Sequence, residues 1–209
     1  MVSRDMHNDA TTNSRRRTIT TTMFMTLDGV VQGLGRADED TRGGFTHGGW
    51  GPRYNDDVMV GELGKEMSSA GDLLFGRRTW QDFAEHWGRA TDDNPYSAHL
   101  NAAEKYVVSH DELDVGLWQN STLLRGEAAV TVAALKAQPG PDLSINGSAT
   151  LVRSLHAAGL IDQYTLLIHP LTLGSGTTLF DGPLPPAELV LRAAVTTTTG
   201  VIIARYSRA

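Results

Sequence analysis

The stretch with most chemistry in it is Asp72-Leu73-Leu74-Phe75-Gly76-Arg77-Arg78-Thr79-Trp80. The apolar run from Leu73 to Phe75 reads as a buried strand, and Gly76 ends it where the backbone can come close to a ligand. Arg77, Arg78 and Thr79 then open a helix that continues through Trp80, Gln81, Asp82 and Phe83. Unpaired N–H groups at a helix N-terminus, flanked by two guanidinium groups, suit a phosphate. The bland alternative is a glycine that only turns the chain beside solvated arginines. A second junction of the same kind lies at Asp142-Leu143-Ser144-Ile145-Asn146-Gly147-Ser148-Ala149-Thr150. On neighbouring strands of one sheet, the two helix N-termini would face a common crevice. Gly147 and Ser148 would then offer N–H groups to a pyrophosphate, and Arg77 or Arg78 would meet a ribose phosphate. Neither junction has the G-x-G-x-x-G or G-x-x-x-x-G-K-[ST] pattern, which argues against a standard Rossmann domain or a P-loop NTPase.

Other candidates are weaker. Asp28, at the break after the first strand, is either a proton-handling carboxylate or an Asx-turn residue bonded to Gly29 or Val30. A long Gly-rich stretch from Gly29 to about Tyr54 carries Phe45, His47 and Trp50. Aromatic residues among glycines read as a mobile wall over a pocket, or as anchors that tie a surface loop to the core. His47 is a proton donor or an exposed loop histidine; His169, before Pro170, reads as a strand-end structural residue. No spacing of histidines and carboxylates suggests a metal site, and no G-x-S-x-G elbow suggests a hydrolase.

These residues need a sheet to hold them. Thr18 to Met25 reads as a strand rich in β-branched residues. Asn55 or Asp56 caps a helix running to about Ser69, with Val58, Leu63 and Met67 facing inward and Gly71 just past its end. Strands follow at Lys105–Ser109, Ser121–Leu124 and Tyr164–His169, with Thr91 to Pro95 a loop. Helices follow from Glu127 to Ala137 and from Ser148 towards Gly159. Glu188–Val195 and Val201–Tyr206 close the chain as a hairpin. Alternating strands and helices with a terminal hairpin give a single α/β domain with a mixed sheet, preceded by a disordered tail over residues 1–17.

The 209 residues are enough for one sizeable core, and the net charge of −6 disfavours a general nucleic-acid binder. The absence of cysteine removes disulfides, thiolate nucleophiles and Cys-ligated zinc. No apolar run approaches membrane-spanning length and no secretory signal is evident, so the expectation is a cytoplasmic protein.

Gly76-Arg77-Arg78-Thr79-Trp80 resembles the G-R-x-T-[WY] segment of dihydrofolate-reductase-like proteins. In the same order, Leu27-Asp28-Gly29, Asn146-Gly147-Ser148-Ala149, Gly159-Leu160-Ile161-Asp162, His169-Pro170-Leu171, Leu173-Gly174-Ser175-Gly176 and Leu179-Phe180 resemble the reductase domain of the bifunctional riboflavin-biosynthesis deaminase-reductase and its stand-alone relatives. The similarity spans Thr18 to the C-terminus. It implies a mixed, mainly parallel sheet flanked by helices, and an NADPH-dependent reductase, often a homodimer, acting on a small heterocyclic or carbonyl substrate. By position, Gly76, Arg77, Arg78 and Thr79 would hold the adenosine-phosphate half of NADPH, with Ser109 near the adenine. Asn146, Gly147, Ser148, Ala149 and Thr150 would hold the pyrophosphate, and the Met25 to Gly29 end of the first strand would border the nicotinamide. The family's glycine pair after that later strand is matched here to Asn146-Gly147. The folate-reductase carboxylate position falls on Val60, so Asp57, Glu62 and Asp56 are its neighbours; Asp28 and Asp57 are the acid candidates, and Phe45 and Trp50 the substrate-covering ones. Other outcomes of the same fold are a true dihydrofolate reductase and a non-catalytic nucleotide-binding or interaction protein. The zinc deaminase half needs H-x-E and P-C-x-x-C; neither occurs, so deamination is excluded.

Overall fold

The β-branched and apolar runs form strands, and the helices lie between them as the sequence pattern predicts. The structure, a computed structural model, describes residues 16–90 and 94–209. Its elements run β1 (Ile19–Thr26), α1 (Asp57–Ser69), β2 (Asp72–Gly76), α2 (Arg77–His86), α3 (Pro95–Ala102), β3 (Lys105–Ser109), β4 (Ser121–Arg125), α4 (Ala128–Lys136), β5 (Leu143–Asn146), α5 (Ala149–Ala157), β6 (Gln163–His169), β7 (Leu189–Thr196) and β8 (Ile202–Arg208). One eight-stranded sheet has the order β4-β3-β2-β5-β1-β6-β8-β7. Six strands are mutually parallel, while β8 runs antiparallel to β6 and pairs with β7 as the expected hairpin.

The period of two divides the sheet's residues between its faces. Ile19 and Met23 of β1, Leu74 of β2 and Ile145 of β5 join the inward stripe of α4 and α5 in the largest core. On the other face the sheet meets two separate groups of helices. Leu73 and Phe75 pack with Trp80 of α2, Leu100 of α3 and Trp118. Farther along, Met59 and Leu63 of α1 sit on Leu167, Val201 and Ile203. Between α1 and the α2–α3 pair, the sheet face carries Thr20, Thr22, Ser144 and Asn146, and no helix covers it there.

Two boundaries differ from the sequence reading. The tail expectation for residues 1–15 lies outside the described residues, but Arg17 belongs to the fold. Its side chain is 2% exposed, pairs with the Asp72 carboxylate, donates to the Pro141 carbonyl and lies over the Tyr106 ring. An arginine that a polarity count assigns to a tail is thus taken up by a buried aspartate at the start of β2. The second difference is α3, in a region read as a loop followed by unassigned chain. Asn94 accepts the Tyr96 N–H as its N-cap, and Pro95 stands at the first helical position, where a missing N–H costs nothing.

Lys105 shows how the α3–β3 junction is held. The residue is fully buried, its Nζ donating to the carbonyls of Leu100 and Ala103 at 2.7 Å each, at the end of α3, with the Trp118 ring beside it. Desolvation pulls its pKa down to about 8.

Candidate functional site

The two glycine junctions do come together. β2 and β5 are neighbouring parallel strands, so α2 and α5 both begin at the same end of the sheet. The approach is close: a Cβ added at Gly76 would lie 2.6 Å from Ser148 Oγ. A Cβ at Gly147 would meet only Thr79 Cγ2, at 3.7 Å, but Gly147 has φ +93°. The next residue, Ser148, is also left-handed at φ 78°, an unusual position for a side-chain-bearing residue. Gly147 and Ser148 are thus two successive left-handed residues at the junction. Ser148 stands at the second position and caps α5, its Oγ accepting the Leu151 N–H at 3.3 Å.

These junctions open onto a continuous cleft of about 2550 Å³. A drug-sized pocket occupies roughly 300–1,000 Å³, so this cleft has room for a dinucleotide and a second molecule. Gly76, Arg77, Arg78, Thr79, Ser109 and the whole Asn146 to Thr150 segment line it, as does Phe45. The cationic groups differ in availability. Arg77 is paired with Asp111 at 3.1 Å, whereas the exposed Arg78 has no ion-pair partner among the described residues. Ser109 is buried and its hydroxyl donates to the Asp111 carbonyl. The backbone at the two helix starts, with the Arg78 guanidinium beside it, is a donor set that fits a phosphorylated dinucleotide.

Met25, Asp28 and Gly29 lie off the cleft. The Asp28 carboxylate is fully engaged: it accepts the Thr26 hydroxyl with one oxygen and the N–H groups of Leu173 (3.0 Å) and Gly174 (2.7 Å) with the other. The Thr26 hydroxyl bond holds its pKa below the usual carboxylate value, and the two backbone donors add to this. Asp28 is therefore an ionised clasp between the β1 turn and the turn after β6. The expected Asx-turn bond to Gly29 or Val30 is not formed: the Thr26 hydroxyl accepts the Val30 N–H and the Thr26 carbonyl accepts the Gly29 N–H. Gly29 sits in that turn, its N–H donated to Thr26 and its carbonyl taken by Leu179.

Asp57 is exposed at the first position of α1 and does not line the cleft. Its neighbour Asp56 caps that helix through the Met59 N–H and also accepts from Thr198 and Thr199. Val60, the position matched to the folate-reductase acid, is 65% exposed.

The Gly-rich loop is tied down, which replaces the picture of a mobile wall. Trp50 is buried away from the cleft, its Nε1 donating to the Gln32 carbonyl at 2.8 Å and its ring set edge-on against His169. Trp50 is an anchor off the cleft, whereas Phe45 lines it. Phe45 packs against Gly33 and Gly176, whose small size makes room for its ring. The Gln32 side chain joins the loop to the turn after β6: its amide N–H donates to Asp40 and the Arg42 carbonyl, and its oxygen accepts from Thr177. His169 is buried with Nδ1 facing the carbonyls of Met25 and Leu167, and desolvation lowers its pKa, in line with a structural role.

Two cleft residues have no counterpart in the sequence reading. Glu66, on the inward stripe of α1 one turn beyond Leu63, accepts from Thr22 (3.1 Å), Thr165 (3.0 Å) and Arg205 Nε (2.9 Å). A carboxylate at i+7 from buried Met59 on an apolar stripe is the signal that could have found it. Tyr96, from α3, reaches the cleft beside Asn146.

A mainly parallel sheet with flanking helices, closed by an antiparallel C-terminal hairpin, is the dihydrofolate-reductase-like architecture. Residues 17–203 match the RibD C-terminal domain, and the chain belongs to that reductase-type family. A curated relative, the uncharacterized protein YyaP of Bacillus subtilis (strain 168), is 25% identical over 177 residues, covering 81% of this chain and 84% of its own. Among solved structures, a putative riboflavin biosynthesis protein from Shewanella sp. PV-4 superposes with a TM-score of 0.65 at 19% identity, over 92% of this chain and 99% of that one. A pyrimidine reductase-like protein from Corynebacterium diphtheriae NCTC gives 0.62 at 13% identity, over 92% of each chain. At these identities the structural likeness speaks for the fold alone. No helix among the described residues is long and apolar enough to cross a membrane, and no metal-binding group of His, Cys, Asp or Glu occurs among them.

Proposed function

We propose that the protein is an NADPH-dependent reductase that passes hydride to a small heterocyclic or carbonyl substrate. The observation that carries this reading is the abutting pair of junctions, Gly76 to Thr79 and Gly147 to Thr150, on one cleft that Arg78 lines without an ion-pair partner among the described residues. The N–H groups opening α5 hold the pyrophosphate, and those opening α2, with Arg78, hold the ribose phosphate. A bound NADPH supplies the hydride. The chain's own residues bind, orient and shield: Phe45 closes the loop side, and Glu66 with Thr22 presents oxygen acceptors to substrate N–H or O–H groups on the α1 side.

Arg78 is the better phosphate ligand of the two arginines because Arg77 already has a partner. A charge-assisted hydrogen bond contributes roughly 1.5–3 kcal/mol, so Arg78→Ala weakens NADPH about ten- to a hundredfold and leaves NADH affinity nearly unchanged. Equal losses for both cofactors would contradict the assignment. Turnover is read from NADPH oxidation across pterins, ribosylaminopyrimidines and simple carbonyls. Cofactor binding with no turnover across that panel would favour a nucleotide-binding protein that keeps the fold without the chemistry.

The same reading includes a homodimer. β7 is an edge strand paired on one side only, and Val190, Leu191 and neighbouring Ile202 are exposed on it and on β8. Sedimentation velocity giving only the 22.6 kDa monomer at micromolar concentration would remove it.

A further inference from the structure

One row of side chains crosses the cleft floor from wall to wall. Asn146 of β5, Thr22 of β1, Thr165 of β6 and Arg205 of β8 are direct cross-strand neighbours, so all four project from the same face. Glu66 of α1 joins the Thr22, Thr165 and Arg205 end into one hydrogen-bonded group. At the other end Tyr96 comes in from α3 against Asn146.

The two ends differ in kind. The Glu66 end is rich in acceptors, and its carboxylate is held by three donors. The Tyr96 end offers a donor. The Tyr96 ring is set at 90° against Trp87 at 5.3 Å, which fixes its direction, and the residue lines the cleft. Its hydroxyl is paired with the Asn146 side chain. A reduction of a C=N or C=O bond needs a proton for the heteroatom. Asp28 is ionised and clasped off the cleft, and Asp57 is exposed outside it. The donor has to come from the cleft itself.

We propose that Tyr96 is the catalytic proton donor of the reductase, with Asn146 as its positioning residue. This rests on the reading of the cleft as a reductase site. Hydride from a bound reduced nicotinamide dinucleotide would bring two electrons to the substrate carbon and open the π bond. The heteroatom takes H⁺ from Tyr96 Oη. The phenolate left behind is stabilised by the Asn146 side chain and regains its proton from water. Burial pushes the phenol up to about 12, with the Asn146 hydrogen bond working the other way. The hydroxyl is therefore protonated at neutral pH, and the basic heteroatom left by hydride transfer is what draws its proton.

The test is Tyr96→Phe, which removes one hydroxyl and keeps the ring. General acid catalysis contributes about 10²–10⁴-fold, so kcat on a panel compound reduced by the wild type falls at least ~100-fold. NADPH affinity by fluorescence titration stays within about twofold. A second readout needs no turnover: the tyrosinate absorbance difference between wild type and Tyr96→Phe shows one phenol titrating near 12. Unchanged kcat in Tyr96→Phe, with the wild type active, overturns the donor role and leaves the reductase reading intact. A parallel loss of NADPH affinity makes Tyr96 structural, and a phenol titrating near 10 removes the buried donor. A wild type that reduces no panel compound takes the reductase reading down, and this inference with it.

Discussion

Gly76→Ala is expected to abolish saturable NADPH binding and to lower the melting temperature. The added Cβ would stand 2.6 Å from Ser148 Oγ, a distance that real Cβ contacts essentially never show, and a tight 3.2 Å from Ser148 Cβ. Ser148 cannot simply rotate away, because its hydroxyl caps α5 and its backbone is already left-handed. The strain must push the two helix N-termini apart, and a pyrophosphate cradle depends on their spacing. Overpacking of this kind costs about 1–3 kcal/mol. The paired variant Gly76→Ala/Ser148→Gly removes the obstructing side chain and relaxes φ at 148, so it should recover part of both losses. Binding unchanged in Gly76→Ala, measured by tryptophan fluorescence, would mean that the junctions do not jointly hold the cofactor.

The second large effect concerns stability. Arg17→Met should destabilise the fold by about 3–5 kcal/mol in urea unfolding, because it leaves the Asp72 carboxylate buried without its cation. The pair sits at the start of β2, the strand that ends in Gly76, so the loss also loosens the strand that carries the candidate site. Replacing both partners, Arg17→Met with Asp72→Leu, should return most of the stability, since apolar side chains of similar size substitute well for a buried pair. A single variant that melts with the wild type would show that water already reaches this pair.

Much of this was legible in the sequence for identifiable reasons. β2, β3 and the β7–β8 hairpin were found because apolar or β-branched runs are bounded by glycine, serine or turn residues, which are local signals. The two glycine junctions were found the same way, and parallel pairing of β2 with β5 makes them one site. Other parts needed the third dimension. Trp50 among glycines has the same local sequence whether it covers a substrate or donates to the Gln32 carbonyl; only the fold chooses. Asp28 reads as a candidate acid until the turn at Leu173-Gly174, far along the chain, arrives to use its carboxylate. Arg17 looked like the end of a polar tail because its partner is 55 residues away.

Tyr96 and Glu66 are instructive misses. The Asn94-Pro95 pair is a helix-start signature, but a cluster of polar residues before it favoured a loop. Glu66 lies beyond Asp56, Asp57 and Glu62, the carboxylates that flank Val60 in sequence. The structure brings the carboxylate in two turns later, where register with Thr22 and Thr165 fixes it.

The central claim is that Gly76 to Thr79 and Gly147 to Thr150 form one NADPH site. Isothermal titration of the purified protein with NADPH and, separately, NADH tests it most directly. The account predicts one saturable NADPH site per chain, tighter than NADH by about tenfold or more, with that preference lost in Arg78→Ala. No heat and no saturation with either dinucleotide, from protein that melts cooperatively, would contradict it.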